Sequence, residues 1–210
     1  MKRYVVGDIH GCYEQLKQLL VKIKADAGDS EYRIIFVGDY VDRGPNSAGV
    51  IRLVRSLQEQ GHYCIMGNHE DMLLMGEYTY ARETFDSFPD RIIPEDVSKW
   101  MQMLPKYYED DTIIVVHAGV QPDVPMEYQK DDWLMWIRYD RGRAANLGNG
   151  KHLYHGHTPF LSIIPEGSVD RTNVDTGCVF EGYLTAAVVG EDGKPVDFLR
   201  VPNFDSPVDF

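Results

Sequence analysis

The 210-residue sequence predicts an α/β fold, in which short buried strands alternate with amphipathic helices. Apolar runs at Arg3–Gly7, Arg33–Val37 and His62–Met66 have the length of buried strands. Between these runs, apolar residues recur at the spacing of one helix face. The two predicted helix faces carry Leu16, Leu19, Leu20 and Ile23, then Val50, Ile51, Val54 and Leu57. This β-α-β-α-β order implies neighbouring parallel strands joined by right-handed crossovers.

The middle of the chain gives a weaker pattern. Residues 78–111 are expected to be irregular and mostly helical, and a further helix is expected to begin near Glu70. A buried strand is predicted at Thr112–Val116. Asp131 and Asp132 are expected to cap a short helix that follows them, since aspartate side chains accept hydrogen bonds from helix N-termini.

From Leu153 onward the pattern changes to short β-strands. The predicted strands are Leu153–His155, Ser162–Ile164, Asn173–Val174, Leu184–Val189 and Val196–Val201. Glu166-Gly167 and the segment 191–194 suit hairpin turns. The sequence therefore predicts a sheet that is parallel early and antiparallel late. No linker or repeat divides the chain, so we expect one domain over residues 1–210.

Composition and charge limit the partners of this chain. The net charge of −12 is opposite to the basic surface of nucleic-acid binders, so no nucleic-acid partner is expected. No apolar run approaches the roughly 18 residues that cross a bilayer, and the first residues do not form a signal peptide. We therefore expect a cytoplasmic protein without a membrane partner. Cys12, Cys64 and Cys178 are isolated and are expected to be buried free thiols.

Asp, Asn or His follows five of the predicted strands. The segments are Gly7-Asp8-Ile9-His10-Gly11, Gly38-Asp39-Tyr40-Val41-Asp42-Arg43-Gly44, Gly67-Asn68-His69-Glu70, His117-Ala118-Gly119 and His155-Gly156-His157. Taken singly, each segment is typical of a turn or a helix cap. Five in order are a stronger signal, because open α/β sheets gather their binding residues at the carboxyl ends of strands.

The donor types in these segments predict a metal site. They are carboxylates, imidazoles and one amide, without a thiolate, which suits Mn, Fe or Zn. Asp8 and His10 alternate with Ile9, so both project to one face of an extended segment. A carboxylate such as Asp39 can bridge two ions, and a metal pair about 3.5–4 Å apart serves phosphoryl hydrolysis. Two bound cations would also let an acidic chain act on an anionic phosphate.

Together these segments resemble the signature of the calcineurin-like metallophosphoesterases. The Asp42-Arg43-Gly44 ending of the second segment resembles the phosphoprotein phosphatase branch, and in it the small bacterial and phage serine/threonine protein phosphatases. The motifs run from residue 7 to residue 158, about three-quarters of the chain. The resemblance implies a central β-sandwich of mixed sheets flanked by helices, with a dinuclear metal site at the carboxyl ends of the strands.

The resemblance also implies a role for each matched residue. Asp8 and His10 would bind the first metal, Asp39 would bridge both, and Asn68, His117 and His157 would hold the second. The ions implied are two divalent metals, Mn²⁺ by preference, with Fe or Zn as alternatives. His155 is expected to support the loop rather than to bind metal.

The implied mechanism needs four further side chains. A hydroxide held between the metals would attack phosphorus, and His69 would protonate the leaving oxygen. Asp42 would pair with the imidazole of His69, and Arg43 would grip the phosphate. Arg138 resembles the second phosphate arginine of the branch, with a surface salt bridge as the alternative reading.

Three functions are consistent with these residues. The resemblance favours a serine/threonine phosphoprotein phosphatase that acts on a phosphorylated protein or a small phosphoester. The alternative is a hydrolase of symmetrical dinucleoside polyphosphates, whose bacterial members are longer chains with most of the same motifs. A third reading, from another class, is a metal-binding interaction module without catalysis, but every matched position is retained. The sequence does not indicate an oligomeric state.

Overall fold

The computed structural model describes residues 1–162 and 165–203, and within them two mixed β-sheets lie face to face. The first sheet has the order β11-β10-β1-β2-β3, with β9 pairing β10. Its strands are β1 (Lys2–Val6), β2 (Tyr32–Phe36), β3 (Tyr63–Cys64), β9 (Asp175–Thr176), β10 (Tyr183–Val189) and β11 (Pro195–Pro202). The second sheet has the order β4-β5-β6-β8-β7. Its strands are β4 (Tyr107–Glu109), β5 (Ile113–Val116), β6 (His152–His155), β7 (Glu166–Gly167) and β8 (Arg171–Asn173).

Six α-helices accompany the sheets in the described part of the chain. They are α1 (Tyr13–Ala27), α2 (Ser47–Glu59), α3 (Asn68–Met75), α4 (Arg82–Asp86), α5 (Glu95–Gln102) and α6 (Asp131–Trp136). Short 3₁₀ turns occupy Pro89–Arg91, Met126–Tyr128 and Cys178–Phe180. The apolar stripe predicted for α1 is buried at Leu16, Leu19 and Ile23. None of these helices combines the length and the apolarity that a bilayer-spanning helix needs.

The alternation of side chains along the strands separates two cores. Val5 of β1 and Ile35 of β2 belong to the cluster between the sheets, which also contains Val115 of β5. Tyr4 and its alternate neighbours on β1 face the other way and pack with the helices. Burial on both faces explains why the early strands are continuous apolar runs. The predicted β-sandwich of mixed sheets flanked by helices is confirmed.

The early elements lie where the sequence predicts them, with shifts of a few residues. The predicted third strand shortens to two residues, because Met66 already donates its backbone N–H to Pro105 outside the sheet. The helix predicted near Glu70 begins at Asn68. The three cysteines are buried free thiols, as predicted.

The late part of the chain differs more from the prediction. β6 and β8 pair in parallel, so the expectation of antiparallel late strands holds for β7, β9, β10 and β11 but not for β6 and β8. β6 also pairs in parallel with β5. Parallel pairing here is set by contacts between strands about 40 residues apart along the chain, which local patterns do not show. β4 was also missed, in a segment expected to be mostly helical.

Three local predictions are wrong or lie partly outside the structure. Glu166-Gly167 is not a turn but the strand β7, paired with β8. Asp131 and Asp132 occupy the first turn of α6 rather than its cap, which is Lys130 without a side-chain cap bond. Of the strand predicted at Ser162–Ile164, residue 162 forms a bend and residues 163 and 164 lie outside the described residues.

Candidate active site

The two sheets direct their carboxyl-terminal loops to one place, and these loops carry the six predicted metal ligands. Those residues are Asp8, His10, Asp39, Asn68, His117 and His157. Five of the six are buried, and His157 is half-buried. They come from the ends of β1, β2, β3, β5 and β6, so both sheets contribute to one site.

Asp39 lies at the centre of this ligand set. It belongs to two groups whose candidate ligand atoms all lie within 4.8 Å of one another: one with His10 and His69, the other with Asp8 and His117. Its Oδ2 is 3.3 Å from Nε2 of His10, and its Oδ1 is 3.5 Å from Nε2 of His117. A carboxylate shared by two groups is the arrangement expected of a residue that bridges two ions.

Beside the second group, three atoms with free lone pairs lie close together: one each from Asn68, His117 and His157. His117 contacts the carbonyl oxygen of Val37 through Nδ1 at 2.9 Å, which makes Nδ1 the protonated nitrogen and leaves Nε2 without a proton in the neutral ring. His157 likewise contacts the carbonyl of Trp136 through Nε2 at 3.1 Å. The unprotonated nitrogens of both rings lie 2.8 and 3.0 Å from Oδ1 of Asn68. Acceptors that converge in this way fit a cation between them.

In the first group, a backbone carbonyl orients the ring of His10 in the same way. Its Nδ1 contacts the carbonyl oxygen of Val41 at 2.8 Å, so that Nε2 faces Asp39 with a lone pair. Burial lowers the pKa of His10 to about 3, and the nearby Arg43 guanidinium acts in the same direction. The imidazole is therefore neutral, as a metal ligand must be. Arg43 also contacts Nε2 of His10 through its guanidinium.

A second buried carboxyl lies against Asp8 and was not predicted as part of the site. Asp175, in β9, shares a hydrogen bond with Asp8 and accepts another from the backbone of Gly177 at 3.0 Å. Burial, with the charge of Asp39, raises the pKa of Asp175 to about 7, and burial with both neighbouring carboxylates raises that of Asp8. Such a concentration of buried negative charge fits the binding of cations.

The backbone around these ligands takes conformations that side chains rarely adopt. His10, Asp39 and His157 have positive φ values of 44°, 52° and 69°. Residues in this region carry local strain that the surrounding structure must hold in place, and such residues cluster at functional sites. Gly156 shows how closely the loops approach, because a Cβ there would lie 1.9 Å from Oδ1 of Asp8.

His69 and Asp42 form a buried pair beside the ligands. Nδ1 of His69 is 2.7 Å from Oδ2 of Asp42, and the second carboxylate oxygen accepts a hydrogen bond from the Thr84 hydroxyl at 2.8 Å. Burial lowers the pKa of His69, but the carboxylates of Asp39 and Asp42 outweigh that effect and raise it overall. The imidazole is thus oriented and held towards its protonated form, as a general acid requires. Thr84 was not singled out from the sequence.

Arg43 and Arg138 line one cavity of about 280 Å³ above the ligands. The guanidinium of Arg43 lies 5.1 Å from the centroid of the Tyr80 ring and 5.5 Å from that of the Phe180 ring. Arg138 is exposed and makes no salt bridge with any other described residue, so the alternative reading of a surface ion pair finds no partner there. Both arginines are placed to face an anion in the cavity.

Glu70 holds the backbone of a ligand-bearing loop in place, a role that the sequence did not reveal. Its carboxylate accepts backbone hydrogen bonds from Asp39, Tyr40, Val41 and Gly67 at 2.8–3.2 Å. The loop after β2 is thereby fixed against the start of α3. The Gly-Asn-His-Glu motif contains Glu70 and Gly67, but only the fold shows that the other three partners lie 29–31 residues earlier in the chain.

His155 does not face the ligands. Its Nε2 accepts a hydrogen bond from Arg171 at 2.9 Å, and its Nδ1 contacts the carbonyl of Gly156 at 3.1 Å. Both ring nitrogens are therefore engaged away from the metal-ligand set. This arrangement supports the prediction that His155 steadies the loop.

Candidate ligands for two cations, a buried His–Asp pair and two arginines around one cavity are the features of a metal-dependent phosphoesterase. The model of the calcineurin-like phosphoesterase family matches residues 1–190. The chain belongs to this family, whose members use a dinuclear metal centre.

Several relatives cover nearly the whole chain. It is 29% identical over 235 residues to an asymmetrical bis(5'-nucleosyl)-tetraphosphatase of Halalkalibacterium halodurans, covering 95% of this chain and 93% of the relative. A protein of the same description from Bacillus subtilis is 31% identical over 217 residues, covering 86% and 88%. The crystal structure of a candidate diadenosine tetraphosphatase superposes with a TM-score of 0.71 and 27% identity, covering 98% and 95%.

These comparisons overturn the expected substrate. A serine/threonine-protein phosphatase 1 of Salmonella typhimurium is also similar, at 31% identity over 202 residues. Two of the relatives above are nevertheless described as bis(5'-nucleosyl)-tetraphosphatases, and the solved structure at 27% identity is described as a candidate diadenosine tetraphosphatase. The prediction of a phosphoprotein phosphatase was wrong because its motifs describe the metal ligands, the acid pair and Arg43. These residues serve any phosphate ester or anhydride and do not select what is attached to it.

Proposed function

We propose that the protein hydrolyses dinucleoside tetraphosphates at the two-metal site. The observation that carries this proposal is the alignment with tetraphosphatases over 95% and 86% of this chain, combined with candidate ligands for two cations around one cavity. The substrate is an anion of about four charges, which the two arginines and the bound cations would attract to an otherwise acidic chain.

The residues that would hold the cations are those predicted from the sequence. Asp8 and His10 would hold one ion, Asp39 would contact both, and Asn68, His117 and His157 would hold the other. The bound ions supply an activated water and neutralise charge on the phosphoryl oxygens. We extend the set by Asp175, whose carboxyl lies against Asp8 and can orient it.

The other side chains act on the phosphate chain itself. His69, oriented by Asp42, donates a proton to the leaving phosphate oxygen. Arg43 presents its planar guanidinium to the phosphoryl oxygens beside His10. Arg138, which lines the same cavity, binds the phosphate chain.

The proposed cleavage position is supported by the relatives that match over 93% and 88% of their own length, which are described as asymmetrical. Asymmetrical hydrolysis of a dinucleoside tetraphosphate yields a nucleoside triphosphate and a nucleoside monophosphate. We therefore propose this mode rather than the symmetrical one considered from the sequence, which would yield two diphosphates.

Product analysis tests the proposal directly. The purified protein is incubated with diadenosine tetraphosphate and Mn²⁺, and the nucleotides are separated by ion-exchange chromatography. We expect ATP and AMP in equal amounts. Two equivalents of ADP would make the hydrolase symmetrical, and no turnover would overturn the proposed function. Variant Asp39→Asn serves as the inactive control.

Mn²⁺ is the proposed ion, with Fe or Zn as alternatives, because the donors are oxygens and imidazoles without thiolate. Activity after metal removal and addition of each ion in turn decides among them. One domain over residues 1–210 and a cytoplasmic location stay predictions from the sequence.

A further inference from the structure

Two half-exposed aromatic rings stand at different ends of the metal-ligand set. The ring of Tyr80 lies 5.5 Å from that of His69, next to the first group of ligands. The ring of Trp136 lies 6.3 Å from that of His157, next to the second group. Tyr80 is 46% exposed and Trp136 is 40% exposed. Both line the same cavity, so an exposed part of each side chain lies at the active site.

Each ring is accompanied by an arginine. The guanidinium of Arg43 lies 5.1 Å from the centroid of Tyr80. Arg138 follows Trp136 by two residues and lines the cavity with it. Each end of the cavity therefore combines a positive charge with an open aromatic surface. This pairing suits a ligand in which an anionic group is attached to a flat ring.

The size of the cavity decides where such a ring would lie. Its volume of about 280 Å³ is at the lower limit of small-ligand pockets, roughly 300–1,000 Å³. Phosphate groups on the metal ligands would occupy much of this space. Flat rings attached to the phosphates must then lie at the rim, against Tyr80 and Trp136.

We propose that Tyr80 and Trp136 are two stacking platforms that each hold one nucleobase of the same dinucleoside substrate. The inference rests on the proposed function and deepens it, since it assigns the parts of the substrate that are not phosphate. Base–aromatic stacking is worth an amount that corresponds to about 5-fold to 150-fold in affinity per base. It tolerates different bases, because every base offers a ring face.

The test uses competition, so that it does not depend on turnover of the dinucleotide. Hydrolysis of p-nitrophenyl phosphate by the metal-loaded protein is inhibited either by diadenosine tetraphosphate or by inorganic tripolyphosphate at fixed free Mn²⁺. The two inhibitors have similar charge, but only the first carries bases. The readout is the ratio of the two inhibition constants, because Tyr80 also contacts Arg43 and its loss can affect both inhibitors.

We expect the variants Tyr80→Ala and Trp136→Ala each to raise the inhibition constant of diadenosine tetraphosphate by about 5-fold to 150-fold relative to that of tripolyphosphate. The double variant should show a larger change in this ratio than either single variant. Tyr80→Phe and Trp136→Phe keep a ring and should restore most of the selectivity. Tyr78→Ala is the matched control: Tyr78 is 56% exposed and packs against Phe85, outside the cavity.

The proposal of two stacking platforms would be overturned by an unchanged ratio of inhibition constants in both alanine variants. It would also be overturned if Tyr78→Ala changed the ratio equally. This result is independent of the proposed function, which fails only if the unaltered protein does not cleave diadenosine tetraphosphate. A selective effect of one ring alone would reduce the proposal to a single platform and overturn the two-base arrangement.

Discussion

The floor of the active site and its rim are built in different ways. The floor consists of buried ligands whose free atoms are fixed by backbone contacts, as Val37 fixes His117 and Val41 fixes His10. The rim consists of exposed side chains, such as Tyr80 and Arg138, on the segments that join the strands and helices. The floor holds the chemistry common to the family. The rim contacts whatever the phosphate is attached to, and the substrate is therefore selected there.

This difference explains why the sequence identified the reaction but not its substrate. Apart from Arg138, the residues that resemble those of protein phosphatases lie in the floor. Changes to floor residues should abolish activity on every phosphate substrate. Changes to rim residues should alter one substrate more than another.

The largest effect is expected from Asp39→Asn, because Asp39 belongs to both ligand groups. We expect loss of bound metal and a fall in kcat of at least about 10³-fold on diadenosine tetraphosphate and on p-nitrophenyl phosphate alike. Metal content by mass spectrometry and phosphate release measure it. Asp111→Asn, at an exposed position, should retain both metals. Full activity of Asp39→Asn would contradict the assignment of Asp39 as a metal ligand.

His69→Asn should lower kcat by roughly 10²–10⁴-fold while the metals stay bound, since His69 is proposed to donate a proton and not to hold an ion. The ligand groups make this a sharp test, because His69 lies within ligand distance of His10 and Asp39. Metal content and turnover must be measured on the same preparation. Loss of metal together with activity would assign His69 to the ligands instead.

Glu70→Gln should weaken metal binding by about 10-fold to 100-fold, although Glu70 contacts no proposed ion. The amide group of glutamine would face backbone N–H groups that now donate to a carboxylate. The unfolding free energy should also fall, by about 1–3 kcal/mol, since buried donors lose their acceptor. Titration of the metal-free protein and thermal unfolding report the two effects. Glu59→Gln, at the exposed end of α2, should change neither.

Arg138→Ala should produce the smallest effect, a rise of about 10-fold in KM for diadenosine tetraphosphate, as expected for one lost hydrogen bond to a charged group. Because Arg138 lies at the rim, the rise should be smaller for p-nitrophenyl phosphate, which has a single phosphate group. Arg52→Ala on the exposed side of α2 is the control. An equal rise in KM for both substrates would assign Arg138 to the floor of the active site instead of the rim.

The fold could be predicted where local patterns repeat and could not where they do not. The helix face at Leu16, Leu19 and Ile23 and the early parallel strands follow from periodicity. The parallel pairing of β5 with β6 depends on residues about 40 positions apart. The strand at Glu166 has only two residues, which is too short for any period to appear.

By itself the sequence indicated the type of chemistry and predicted the candidate metal ligands and the pair formed by His69 and Asp42. Strand ends converge in any parallel sheet, so residues that follow several strands can be assigned to one site without coordinates. Only the tertiary structure decided that Asp175 meets Asp8, that Glu70 holds the loop after β2, and that Tyr80 and Trp136 stand at different ends of one cavity. These contacts join positions far apart in the chain, and no spacing of residue types records them.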